Sequence, residues 1–434
     1  MLLQYEGKKN FAIFFNRELI ARLGKESGFV QRKARKISPY HFVVGFLNSV
    51  CKGQNSFSGW ATQISLLGRN CVSKQAVFDR LDQRAVVFAK SLVEAALLQQ
   101  SVKQASSELF SMFSKVLLQD STTLKLPQWL SAIFPGNHSR GEQKAVARIQ
   151  SVIDLKAMRF IDFVLSSFVQ NDQSASGSIV QWGQKGDLVI RDMGYFAMET
   201  FSMLSDRGIH FLSRLRFGVL LYDKKGHEIA WKTLLRKNKV TDQWVCIGRK
   251  NKLWVRLVMI PVPAKQREER VRKAKNDRDK RLNHSQEYYQ WLGYQVYITT
   301  VSKDVWVPQQ VAQAYRVRWQ IEIIFKSWKT GFHMQDMLHE GCTNEYRVRV
   351  SIFLMLFLIC LFMFKIYIPF KDYVEKKMKR QISLIKLTLF ISRNLKDVFF
   401  IPPKRINEIV ARHCCFEHRA DRTNMTNLYK QIKN

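Results

Sequence analysis

Asp120 closes the apolar run KVLLQ and is followed by Ser121, Thr122 and Thr123; Asp192 closes the run DLVIR ahead of Met193, Gly194, Tyr195 and Phe196. A carboxylate at the end of a buried strand costs solvation free energy unless it is paired or bound to a cation. Taken singly, each has an ordinary reading, because Asp-Ser-Thr is good turn chemistry and a Gly suits the turn from strand to helix. A third acid, Glu322, lies in AYRVRWQIEIIFKSWKTGF, whose apolar spacing predicts one helix. At about 100° per residue, Tyr315, Arg318, Glu322 and Lys329 share one stripe of about 60°, beside an apolar face of Ile321, Ile324, Phe325 and Trp328. A helix docked by that face would aim one acid, two bases and a phenol the same way. A solvated face with Glu322 paired to Lys326 explains the charges but leaves Tyr315 without a role.

Two strand ends and one helix face can bring three carboxylates together. Without a cation they repel one another, so their gathering predicts metal binding. Two divalent ions roughly 3.5 to 4 Å apart stabilise the attacking and leaving oxygens of an in-line phosphoryl displacement. Three carboxylates leave room in the octahedral magnesium shell for water, a phosphate oxygen and the nucleophile.

The elements that must position these groups follow from a change of pattern along the chain. Residues 1–112 place apolar and basic clusters at helical spacing. From 113 to 216 short apolar runs (KVLLQD, ARIQSVIDL, RFIDFVLSS, DLVIRD, IHFLSRLR) are bounded by turns, with the helical FAMETFSMLSDRG before the last, a mixed sheet with α crossovers. A β-rich stretch and the basic helix AKQREERVRKAKNDRDKRLNH occupy 217–290, a strand and the Glu322 helix 291–340, and helices 341–434. No internal repeat or low-complexity linker interrupts this order.

The charge supports a polyanionic partner, since 70 Lys plus Arg against 35 Asp plus Glu leave +35 and a pI near 10.1. A ribosome-associated or merely cationic protein would share that balance. QRKARK (31–36) is a candidate phosphate contact or a solvated face. The seven cysteines are scattered and read as reduced intracellular thiols. His413, Cys414, Cys415 and His418 include adjacent cysteines, a poor spacing for structural zinc. The N-terminal segment breaks every apolar run with a charge, unlike a secretory signal, which places the chain in the cytoplasm. Residues 352–364 are wholly apolar or Cys, but fall short of the roughly 20 residues of a membrane span and read as a core helix, so no membrane is expected.

DSTTLKLP, DMGYF and the ungapped Y-x2-R-x3-E-x6-K at Tyr315, Arg318, Glu322 and Lys329 resemble the three motifs of DDE transposases of the insertion-sequence-four family. The resemblance implies a mixed α/β fold: a ribonuclease-H-like catalytic core, interrupted by a β-rich insertion between Asp192 and Glu322 and flanked by helical N- and C-terminal regions. It implies Asp120, Asp192 and Glu322 as catalytic residues and ligands of magnesium, with manganese as the alternative ion. Tyr315, Arg318, Lys329 and, after the strand IHFLS, Arg214 become contacts to DNA phosphates. Met193 stands where the family often has Arg, and Trp291 and Tyr294 lie near the position where some relatives stack an aromatic on a flipped base. The implied activity is metal-dependent cleavage of double-stranded DNA at the element's ends and joining of the freed 3′ hydroxyl to target DNA, by a homodimer on DNA. A non-catalytic DNA-binding descendant of such an enzyme is the alternative.

Overall fold

The computed structural model describes residues 14–31, 36–100, 108–139, 141–236, 238–249, 252–277, 284–336, 338, 344–395 and 397–416. Residues 32–35 of the basic stretch and His418 lie outside them.

Among the described residues five helices come first: α1 (Arg17–Glu26), α2 (Pro39–Cys51), α3 (Phe57–Leu67), α4 (Lys74–Phe78) and α5 (Gln83–Leu98). Each begins on a side chain that accepts a backbone N–H of its first turn, from Asn16, Ser38, Ser56, Ser73 and Asp82 respectively.

The sheet follows, with β1 (Val116–Lys125), β2 (Pro135–Ser139), β3 (Glu142–Asp154), β4 (Arg159–Ser167), β5 (Leu188–Arg191) and β6 (His210–Arg214). β3 pairs antiparallel with β1, β2 and β4, whereas β5 lies parallel to both β1 and β6. The spatial order β4-β3-β1-β5-β6 is that of a ribonuclease-H-like sheet. Parallel neighbours need a crossover, and helix α6 (Met198–Asp206) supplies the one from β5 to β6.

The β-rich region contains β7 (Leu221–Tyr222), helix α7 (Trp231–Leu235), β8 (Thr241–Ile247), β9 (Leu253–Pro261), helix α8 (Ala264–Lys275) and the short α9 (Gln286–Trp291). It is continuous with the core sheet, because β10 (Tyr294–Thr299) pairs antiparallel with β9 on one side and β6 on the other.

The expected Glu322 helix is two helices, α10 (Pro308–Arg316) and α11 (Trp319–Thr330). Between them the amides of Val317, Arg318, Gln320 and Ile321 bond three residues back, at 3.0–3.2 Å, so a tightened turn replaces the regular helical ladder.

Next comes α12 (Glu345–Phe362), which runs through one wide turn (Met363–Tyr367) into α13 (Ile368–Met378). This stretch is long and apolar enough to cross a membrane, yet it is mostly buried inside the protein, where α12 packs on α5 and α2. It behaves as the core helix expected from 352–364. The described residues end with α14 (Leu384–Arg393), packed on α11, and α15 (Pro403–His413).

Candidate active site

Asp120 and Asp192 are brought side by side by strand register. The β1–β5 pairing ends at Gln119 opposite Arg191. One residue further, Asp192 leaves β5 for the single turn Met193–Tyr195, and Asp120 continues in β1 opposite Ser151 of β3. Asp120 therefore does not end its strand as its sequence setting suggests. The thirteen-residue β3 carries β1 on to Lys125, and Thr122 and Thr123 suit an extended backbone better than a turn.

Glu322, in the first turn of α11, comes to the same place, and Arg318 of the tightened turn lies among all three acids. Its Nη2 donates to Glu322 Oε1 at 2.6 Å and its Nη1 to Asp120 Oδ2 at 3.3 Å, while its Nε lies 3.9 Å from Asp192 Oδ1. Asp120 and Arg318 are each 15% exposed, against 44% for Asp192 and 38% for Glu322. The site thus has one sheltered acid at its base and two at its rim. Burial pushes the Asp120 carboxyl up to about 7, although the Ser121 amide, at 2.8 Å from Oδ1, and the Arg318 charge both pull it down. For Arg318, burial opposes the charge, and Tyr315 with the three acids outweighs it, so its pKa is raised. Among the described residues no three His, Cys, Asp or Glu side chains converge closely enough to hold a metal by themselves. Here the acids share a guanidinium.

Tyr315 is buried, and its hydroxyl donates to Asp192 Oδ1 at 3.1 Å. Burial, and next the Asp192 charge, raise its pKa. The guanidiniums of Arg214 and Arg318 lie 5.5 and 5.8 Å from its ring centre. Arg214 is the last residue of β6, facing Tyr297 of β10. Lys329, two turns beyond Glu322, is half-buried with its pKa lowered by burial, and bonds to none of the three acids. The Glu322–Lys326 pair does not form; Arg318 takes its place.

Trp291 and Tyr294 are buried in the second hydrophobic core. Trp291 packs edge-on against Trp231 at 4.5 Å, and the Tyr294 hydroxyl donates to the Leu235 carbonyl at 3.0 Å. Neither offers a free face to a base. Cys414 and Cys415 are buried as well, burial pushing the Cys414 thiol up to about 12.

One acid escaped the sequence reading. Asp172, in the loop after β4, accepts with Oδ1 from Ser121 Oγ (2.7 Å), Arg148 Nη1 (2.5 Å) and Gln150 Nε2 (3.0 Å). A Cβ placed on Gly194 would meet Asp172 Oδ2 at 3.4 Å, and the Tyr195 hydroxyl bonds Gln150. Asp172 therefore ties the residue after Asp120 to the turn after Asp192. Arg148 and Gln150, two polar residues at i and i+2 in the run ARIQSVIDL, were the available signal, since that spacing puts both on one face of a strand.

Residues 111–363, more than half of the chain, match the family model described as transposase DDE domain. The chain belongs to the DDE transposases. Among relatives, it is 26% identical over 405 residues to the transposase for insertion sequence element IS231F of Bacillus thuringiensis subsp. israelensis, covering 87% of this chain and 83% of that one. Over 346 residues it is 25% identical to the transposase for insertion sequence element IS1151 of Clostridium perfringens, covering 73% of this chain and 72% of the relative. Among solved structures, it is similar to the piggyBac transposase synaptic complex with hairpin DNA, with a TM-score of 0.44 and 11% identity over 99% of this chain and 90% of that one. The transposase is thus an enzyme that cleaves and joins DNA and depends on divalent metal ions.

Proposed function

We propose that Asp120, Asp192 and Glu322 are the catalytic acids of this transposase and hold magnesium, or manganese in its place. The observation that carries this reading is that three acids from β1, the end of β5 and α11 meet on one guanidinium. The donor set suits a hard divalent cation. It is all carboxylate oxygen, one member is sheltered enough to resist ionisation, and one arginine charge faces up to three negative ones. Bound there, divalent ions would polarise the scissile phosphate and stabilise the attacking and leaving oxygens.

The protein's own part is orientation. Tyr315 fixes Asp192 through its hydroxyl, and the Asp172 cluster holds the backbone after Asp120. Arg318 occupies the space that a cation would share, so loading the site requires the guanidinium to move, and a DNA phosphate is an anion able to receive it. Lys329 and Arg214 contact further backbone phosphates. Water attacks at each end of the element, and the freed 3′ hydroxyl then attacks target DNA. Two ends must be held at once, which calls for a homodimer on DNA. The helical region 1–112 binds DNA, 113–216 and 291–340 form the catalytic core, 217–290 is the insertion, and the enzyme works in the cytoplasm.

Replacing Asp120, Asp192 or Glu322 by Ala tests the assignment. Each variant should lose cleavage of donor DNA while keeping its affinity for that DNA. Cleavage at the parent's rate by any of the three would remove that acid from the site.

A further inference from the structure

Asp120 meets the acid cluster on one face of the sheet, and its two strand neighbours point to the other, because side chains alternate along β1. On that other face lies the segment 171–178, in the connection from β4 to β5. It grips both neighbours of Asp120. Gln119 Nε2 donates to the Ala175 carbonyl at 3.1 Å and to Ser178 Oγ at 3.0 Å, and Ser121 Oγ donates to Asp172 Oδ1 at 2.7 Å. Arg148 of β3 locks the second grip, donating from Nη1 to Asp172 Oδ1 at 2.5 Å and to Ser121 Oγ at 3.1 Å.

The same segment holds both flanks of Asp192. Ser176, itself buried, donates from Oγ to the Tyr195 carbonyl at 2.9 Å. The fully buried Arg191 donates from Nη2 to the carbonyls of Ser176 and Tyr195, each at 3.1 Å, and to Ser176 Oγ. The pairing of β1 with β5 stops at Gln119 and Arg191, one residue short of each acid. Strand pairing between these two strands therefore does not reach the carboxylates, and the segment 171–178 supplies the tie across the gap. Its bonds run to residues beside the acids and none to the acids themselves, as expected of groups that orient metal ligands from behind.

We propose that the segment 171–178 is a brace and that Asp172 and Ser176 are positioning residues, which set the separation of the Asp120 and Asp192 carboxylates and so the affinity of the site for its divalent ions. The inference rests on the reading of the three acids as metal ligands and deepens it: a loop on the face away from DNA cleavage controls how well the site is loaded.

The test is manganese titrated into the DNA-bound full-length chain and followed by electron paramagnetic resonance, with metal-free melting measured on the same preparations. Asp172→Ala and Ser176→Ala should each weaken manganese binding by about tenfold, the usual size of effect for removing a group that orients a metal ligand. Ser176→Ala changes no charge, so its loss is one of position and not of electrostatics. Asp172→Asn, which keeps an oxygen for Ser121 and Gln150, should recover most of what Asp172→Ala loses. Trp231→Phe, which deletes a hydrogen bond to the Val219 carbonyl in the β-rich region, should lower the melting temperature and leave manganese affinity at the parent's value. Parent-like affinity in both alanine variants would overturn the brace, as would an equal loss in Trp231→Phe. Failure of the underlying reading would show separately, as full manganese uptake in Asp192→Ala.

Discussion

In the candidate active site a single guanidinium, that of Arg318, faces three carboxylates, whereas in the β-rich region the guanidinium of Arg256 is matched to the carboxylate of Asp242. The β-rich region shows what a structural pair in this fold looks like. Arg256, fully buried, bonds both oxygens of Asp242 at 2.7 and 2.9 Å and spends another N–H group on the carbonyls of Val301 and Ser302. The forks match, and the exposed Lys303 lies 3.9 Å from the same carboxylate, so positive charge is not short there. The candidate active site is not balanced in this way. It lacks positive charge, which a divalent metal ion would supply. Unbalanced charge held in place by packing marks a binding site, and balanced charge marks a strut.

The largest expected effect breaks the acid cluster at its present cation. Arg318→Ala removes a forked guanidinium that, once moved off the acids, can make two hydrogen bonds to a DNA phosphate, each worth about 1.5–3 kcal/mol, so cleavage should fall by about a hundredfold or more. The metal-free melting temperature should also drop, and magnesium should raise it more in the variant than in the parent, because the ion then replaces a missing charge. A variant melting like the parent, with no added response to magnesium, would mean that Arg318 does not neutralise the acids.

Next in size is Tyr315→Phe, which keeps the ring beside Arg214 and Arg318 and deletes only the hydroxyl bonded to Asp192. End cleavage should slow by roughly tenfold, with thermal stability nearly unchanged. A lower melting temperature with normal cleavage by the folded fraction would make the hydroxyl a structural group.

The smallest effect concerns pH. With its carboxyl raised to about 7, Asp120 holds a proton more tightly in the folded chain than in the unfolded one. This group therefore favours the metal-free fold as pH falls below about 7 and opposes it above. A proton and a metal ion compete for the same oxygens. At limiting magnesium, cleavage should decline as pH drops through about 7, and added magnesium should move the midpoint lower. A midpoint indifferent to magnesium would place the titrating group elsewhere.

The convergence of Asp120, Asp192 and Glu322 was legible because side-chain type and spacing allowed it and the resemblance to three family motifs joined the three acids. What could not be read depended on pairing between distant segments. Asp120 looks like a strand end until β3 is seen to carry β1 onward to Lys125. The turn at Val317 and Arg318 differs from a helix only in bonding three residues back instead of four, which apolar periodicity does not resolve. Asp172 sits in a polar loop of turn-forming residues, and its role exists only through Arg148 and Gln150 across the sheet. Trp291 and Tyr294 have types suited to base stacking, but packing on Trp231 and Leu235 decides their surroundings.

Metal uptake tests the central claim most directly. Electron paramagnetic resonance of manganese titrated into the DNA-bound transposase should count about two ions per chain in the parent. In Asp192→Ala, with DNA still bound, at least one of them should be lost or bound far more weakly. Equal uptake and affinity in parent and variant would contradict the assignment of the three acids as the metal site.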